Sequence, residues 1–195
     1  MTAALRDAIG VEHPRVDAAQ ECRIVSLVPS VTELICALGL APALVGRTGF
    51  CIHPRLTLEP IPKIGGTKDV NIDKIRQLAP THLLVNIDEN EKPTVDTLSR
   101  FVPNVIVTHP VAPEDNLSLY RLLGGIFGKE REAESLCAFW RSPVIPAAVS
   151  AATKKSRPPS RLVLHLARSL DDRLAGHVYR AHAGINRVGA VDIGV

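Results

Sequence analysis

The segment Arg23-Ile24-Val25-Ser26-Leu27-Val28-Pro29-Ser30-Val31-Thr32-Glu33-Leu34 constrains the chain more than any other. It reads as a buried strand that breaks at Pro29 and restarts at once as a helix. Ser30, with Glu33 three residues later, fits a capping box in which the hydroxyl accepts a first-turn N–H and the carboxylate returns to the cap's own N–H. Strand, polar turn and helix N-terminus form the layout that open α/β sheets use to hold ligands.

The same alternation recurs downstream. Ala43 to Arg47 reads as a second strand, followed by a ligand-side loop, Thr48 to Pro54, and a proline-spaced connector ending in Gly65-Gly66-Thr67. Asn71 is placed to cap a helix over Ile72 to Leu78, and Pro80 stops it. His82 to Ile87 is an apolar strand, Pro93 to Phe101 a helix, and Asn104 to Thr108 a further strand. Strands alternating with helices imply a parallel sheet. Both later strands end in polar residues, Asn86 with Asp88, Glu89 and Asn90, and Thr108 with His109, at the carboxyl edge where ligands sit. The Asp88 to Glu91 run itself reads as a solvated loop, and Gly39 as the residue that ends the first helix.

From Pro113 the pattern turns helical. Leu117, Tyr120, Leu123 and Phe127 share one spacing, Gly128 interrupts, and Ala133, Leu136, Cys137 and Trp140 continue it. Pro143 and Pro146 break or kink this segment, and Ala147 to Lys155 resumes it. Arg161 to Ala167 is one more strand, while Ser169 to Val195 shows no clean periodicity and is too short to build a core. The expected organisation is an N-terminal extension over residues 1–21, a first α/β lobe over 22–112, an inter-lobe helical segment over 113–157, and the start of a truncated second lobe over 158–195.

Composition removes several function classes. The 23 basic and 20 acidic side chains are scattered, for a formal charge of +3, and aromatics make up 4%. Neither a basic face nor a stacking platform for nucleic acid stands out. No run of about 18 apolar residues suggests a membrane span. Met1 to Gln20 lacks the apolar stretch of a secretory leader, so the chain as written is expected to be cytoplasmic. Cys22, Cys36, Cys51 and Cys137 form no CxxC pair; free thiols fit the lack of a leader, and a disulfide between Cys22 and Cys51 stays open. No dinucleotide or phosphate-loop fingerprint follows a strand, and no nucleophile–base pair stands in a recognisable context.

The blocks from Arg23 to Leu34, Val45-Gly46-Arg47-Thr48, Gly65-Gly66-Thr67 with Asn71-Ile72-Asp73-Lys74-Ile75, and Leu78-Ala79-Pro80-Thr81-His82 together resemble the Fe/B12 periplasmic-binding family. These are substrate-binding proteins of ABC importers of the helical-backbone metal-receptor type, among them cobalamin and ferric-siderophore binders. The resemblance spans about residues 22–140 and implies a Rossmann-like parallel-sheet lobe, a long backbone helix and a second α/β lobe, with a ligand between the lobes. Three departures stand out: the missing leader, Pro143 and Pro146 inside the helical segment, and the short second lobe. A one-base frameshift near Arg168 is the expected cause of the last.

The resemblance implies a binding protein without catalysis and without an intrinsic cofactor, probing for a small metal chelate such as cobalamin or a ferric chelate. The candidate ligand-binding residues are Pro29, Ser30, Thr48, Phe50, His53, Gly66, Thr67 and Asn86. Asp73 occupies the place of an acidic residue that docks on an ABC permease, although the helix dipole alone favours a carboxylate there. The chain is expected to act as a monomer. Cys51 and His53 are two apart, which is short of a metal site. A cytoplasmic α/β cofactor-handling domain or enzyme, or a non-functional fragment, are the alternatives.

Overall fold

The computed structural model describes residues 4–17 and 21–141. The chain divides into two units, 1–143 and 144–195, and all described residues belong to the first. The expectations placed on 142–195, including the Pro143 and Pro146 break, the Arg161 to Ala167 strand and the change of frame near Arg168, lie outside the described residues.

Four strands form one parallel sheet: β1 (Ile24–Ser26), β2 (Leu44–Arg47), β3 (His82–Asn86) and β4 (Asn104–Thr108), in the spatial order β2-β1-β3-β4. They are joined and covered by α1 (Pro29–Ala37), α2 (Arg55–Leu58), α3 (Ile72–Gln77) and α4 (Lys92–Leu98), and followed by α5 (Asp115–Ile126) and α6 (Glu130–Trp140). The register runs Val25 beside Leu83 and Leu83 beside Val105. Both faces are apolar, as expected where a parallel sheet is covered on both sides. Ile24, Leu84 and Ile106 point into the core shared with α1 and α5; Val25, Leu83, Val85 and Val107 point into the core beneath α3 and α4.

Several helix ends follow the sequence signals. Asn71 Oδ1 accepts the N–H of Lys74 at 2.8 Å, capping α3. Gly39 takes φ +75 beyond α1, a left-handed value that glycine adopts without steric cost. The helical segment after Pro113 is present as two helices that turn at Gly128, φ +65, and pack on each other. Gly124 of α5 makes this possible, since a Cβ there would lie 2.5 Å from that of Ala133 on α6. Arg121 pairs with Glu134 across the two helices, and Trp140 Nε1 donates to the Tyr120 hydroxyl at 2.8 Å.

The capping box does not form. Val28 is the N-cap of α1, in extended conformation at φ −127 and ψ 120, and Pro29 is its first residue. Proline's fixed φ suits the first helical position. Ser30 is thereby moved inside the helix, where its hydroxyl is no longer at the cap. The Asp88 to Glu91 loop is also not uniformly solvated: Asn90 is buried and Glu89 half-buried. All four cysteines are free thiols, which removes the Cys22–Cys51 disulfide.

The N-terminal residues are part of the lobe. Asp7 is buried, accepts the N–H groups of Ile9, Val11 and Val107, and lies 3.2 Å from His13 Nε2. Ala8 N–H donates to Val107 O along the outer side of β4, and the Leu5 side chain packs against Gly125.

Candidate functional site

The chain order reverses between β1 and β3, because α1 carries it outward to β2 and α3 returns it across β1 to β3. Such a reversal opens a crevice at the carboxyl ends of the two strands, where ligands of open α/β sheets bind. Here that crevice holds the side chain of Asn90. Its Oδ1 accepts the Asn86 N–H at 2.9 Å, and its Nδ2 donates to Thr67 O at 2.8 Å and reaches Leu27 O at 3.5 Å. One amide thus ties the β1–α1 turn, the β3 rim and the Gly65-Gly66-Thr67 turn together.

The loop after β2 joins the same rim. Gly49 N–H donates to Gly65 O at 2.7 Å, and the Phe50 ring lies so close to Gly66 that a Cβ there would stand 3.4 Å from it. Gly65 takes φ +109, and a Cβ at that position would meet Asp69 O at 2.4 Å, so glycine is required. Beneath the loop lies a buried polar layer. Thr32 Oγ1 donates to Val28 O at 2.8 Å, and both Thr32 Oγ1 and Thr48 Oγ1 stand 3.1 Å from Cys51 Sγ. Arg47, at the end of β2, is 5% exposed and donates to Leu58 O at 2.9 Å and Cys51 O at 2.8 Å.

The sequence-derived candidates divide in two. Pro29, Ser30, His53, Gly66 and Thr67 are half-buried at the rim, and Phe50 is 64% exposed. Thr48 and Asn86 are buried and face inward. Thr48 bonds the Cys51 thiol, while Asn86 Oδ1 accepts the Asp88 N–H at 2.8 Å, so both shape loops. Asp73 lies apart, in the first turn of α3, with its side chain 84% exposed and 3.7 Å from Arg76. His109 is exposed and stands 3.4 Å from Asp88, linking the loops after β3 and β4. Burial, then the neighbouring Asp88, raises the Glu89 carboxyl above its ordinary range.

Arg47 and Asn90 are the residues the sequence reading missed. Arg47 read as a strand end and Asn90 as part of a polar run. No local pattern marks either, since Arg47 closes β2 and Asn90 stands four residues past the end of β3. Among the described residues no cluster of three His, Cys, Asp or Glu side chains is arranged to hold a metal. Beside the exposed Asp88 and His109, the loops also leave large apolar side chains open: Phe50, Ile52, Leu56 and Ile87 are all exposed.

A parallel α/β lobe with its loops gathered at the carboxyl rim has the layout in which open sheets hold ligands. A family model described as periplasmic binding protein matches residues 24–184, and the chain belongs to that family. The match runs past Arg168. Members of the family are binding proteins rather than enzymes, and the family is periplasmic; it lends no support to the expected cytoplasmic placement.

Solved structures agree with the fold. The apo periplasmic heme-binding protein RhuT from Roseiflexus sp. RS-1 is 26% identical, with a TM-score of 0.60 over 72% of this chain and 53% of that one. A periplasmic heme-binding protein from Pseudomonas aeruginosa is 26% identical, with a TM-score of 0.58 over 70% of this chain and 50% of that one. The periplasmic vitamin B12 binding protein BtuF of Vibrio cholerae shares the fold at 20% identity, with a TM-score of 0.59 over 67% of this chain and 51% of that one. The chain thus spans about half the length of these structures. None of the curated proteins matches.

Proposed function

We propose that this chain is the first-lobe portion of a substrate-binding component of an ABC importer and that it binds an intact metal chelate, of the heme, corrin or ferric-siderophore class, without catalysing a reaction. The observation that carries this reading is the rim itself. Three loops are tied to one another by backbone and amide hydrogen bonds, while Phe50, Ile52, Leu56 and Ile87 are left open to solvent. An apolar wall suits a ligand that brings its own coordination sphere, because it supplies contact area and little competing metal chemistry. The solved relatives, which are heme-binding and vitamin B12 binding proteins, support the same class.

On this reading Pro29, Ser30, Phe50, His53, Gly66 and Thr67 contact the ligand, and Thr48 and Asn86 hold the loops that carry them. A second lobe supplies the facing wall. Asp73 offers an exposed carboxylate for a basic partner on the permease, the site of action is the periplasm, and the working form is a monomer. Titration of the chain with hemin, cyanocobalamin and a ferric siderophore, followed by absorbance and intrinsic fluorescence, tests the proposal. One of the three is expected to bind at about micromolar Kd or tighter. Binding of none of them rejects the reading.

A further inference from the structure

Arg47 is a charge buried without a counter-charge. It is 5% exposed, and no ion pair among the described residues includes it. Burying a guanidinium is costly unless its N–H groups are satisfied. Here backbone carbonyls satisfy them: Nε donates to Leu58 O at 2.9 Å, and Nη1 to Cys51 O at 2.8 Å and Thr48 O at 3.3 Å. The main chain of the same residue closes the loop from outside, since Arg47 N–H donates to Pro62 O at 3.0 Å and Ile64 N–H to Arg47 O at 2.9 Å.

The segment from Thr48 to Ile61 is therefore wrapped around one side chain. Three of its carbonyls, Thr48 O, Cys51 O and Leu58 O, meet on a single guanidinium. Phe50, Ile52 and Leu56, three of the open apolar residues of the rim, ride on the stretches between these anchor points. A compact loop with its ends together, packed on its own interior group, has little freedom left to lose when a ligand arrives.

We infer that Arg47 is a positioning residue for ligand recognition: it touches no ligand, and it fixes the loop that presents the apolar wall. This rests on the ligand-binding reading of the rim. Lysine carries the charge but offers one rotating ammonium in place of a planar fork, so it cannot hold three separated carbonyls in the same way. A methionine fills similar volume and holds none.

The test uses the whole chain with Arg47→Met and Arg47→Lys. In the absence of ligand, hydrogen exchange followed by mass spectrometry compares peptides covering residues 48–61 with peptides covering β3. In Arg47→Met the loop amides of Gly49, Cys51, Leu58 and Ile61 are expected to exchange at least about tenfold faster, while β3 keeps its protection. Hemin, cyanocobalamin and a ferric siderophore are then titrated, and whichever binds the wild-type chain is expected to bind Arg47→Met about tenfold more weakly, with Arg47→Lys between the two. Unchanged loop exchange overturns the inference. So does equal loss of protection in the loop and β3, or an Arg47→Lys chain that matches wild type in both measurements. Should Arg47→Met fail to fold, the Arg47→Lys comparison decides alone. If the wild-type chain binds neither of these nor a ferric siderophore, the ligand reading fails, and the exchange result still decides whether Arg47 fixes the loop.

Discussion

The two ends of the sheet handle polar groups in opposite ways. At the amino end, Arg23, Thr81 and His82 bond one another: Arg23 N–H donates to Thr81 Oγ1 at 2.9 Å, Thr81 and His82 N–H both donate to Arg23 O, and Thr81 Oγ1 lies 2.8 Å from His82 Nδ1. Arg23 also spans to Leu78 O through Nε and Nη2. At the carboxyl end, Arg47, Asn86 and Asn90 bond loop backbone instead, and the loops they hold leave Phe50, Ile52, Leu56 and Ile87 exposed. The difference teaches that the amino end is closed on itself, as stability alone requires, whereas the carboxyl end spends its buried polar groups on holding a surface in shape.

Breaking the amino end is expected to cost stability. The largest effect concerns His82, which is buried against the Phe127 ring, 5.2 Å between centroids. Burial, and next the charge of His13, pushes its pKa down to about 4 from the ordinary 6.5. Between these values the unfolded chain takes up a proton that the folded chain refuses, so stability is full above pH 6.5 and falls as pH drops toward 4. The loss is about 2 kcal/mol, measured by urea unfolding at pH 7.5, 6 and 5, and His82→Gln is expected to flatten the curve. Next comes Thr81→Val, which keeps the shape and leaves Arg23 N–H without its acceptor. About 1.5 kcal/mol is expected, read as a lower urea midpoint with unchanged slope.

The carboxyl end should respond in the other direction. Phe50→Ala removes a ring that is already 64% exposed, so unfolding stability is expected to shift by less than about 0.5 kcal/mol. Its effect belongs in affinity for whichever of hemin or cyanocobalamin binds. A Phe50→Ala chain that loses stability as Thr81→Val does, or keeps full affinity, would erase the contrast between the two ends.

Much of the scaffold was legible because it rests on period and punctuation. The four strands, the Asn71 cap, Gly39 and Gly128 all stand where apolar runs and turn residues put them. The Ser30–Glu33 cap was misread because Pro29 competes for the same helix start and its fixed φ wins. The site was less legible for a different reason. A polar residue at a strand end either faces a ligand or turns inward to hold a loop, and only packing decides between the two. Phe50 turned outward; Asn86 and Thr48 turned inward; Arg47, bonding carbonyls of the loop that follows it, and Asn90, bonding Thr67 O and Leu27 O far back in the chain, gave no local sign of their role. The N-terminal residues carry no strand pattern of their own, and their place depends on Asp7 meeting Val107, a hundred positions away.

The backbone bonds at the sheet's margins have one more consequence. An unpaired outer strand is a template on which another chain can add itself, and repeated addition is how sheets grow into fibres. Here β2 is met on its outer side by Pro62 and Ile64, through Arg47 N–H and Arg47 O, and β4 by Ala8 and Asp7, through Val107 O and Val107 N–H. The lobe covers Arg47 and Val107 on its two edge strands with its own chain, so neighbouring copies find no ladder to extend at these positions.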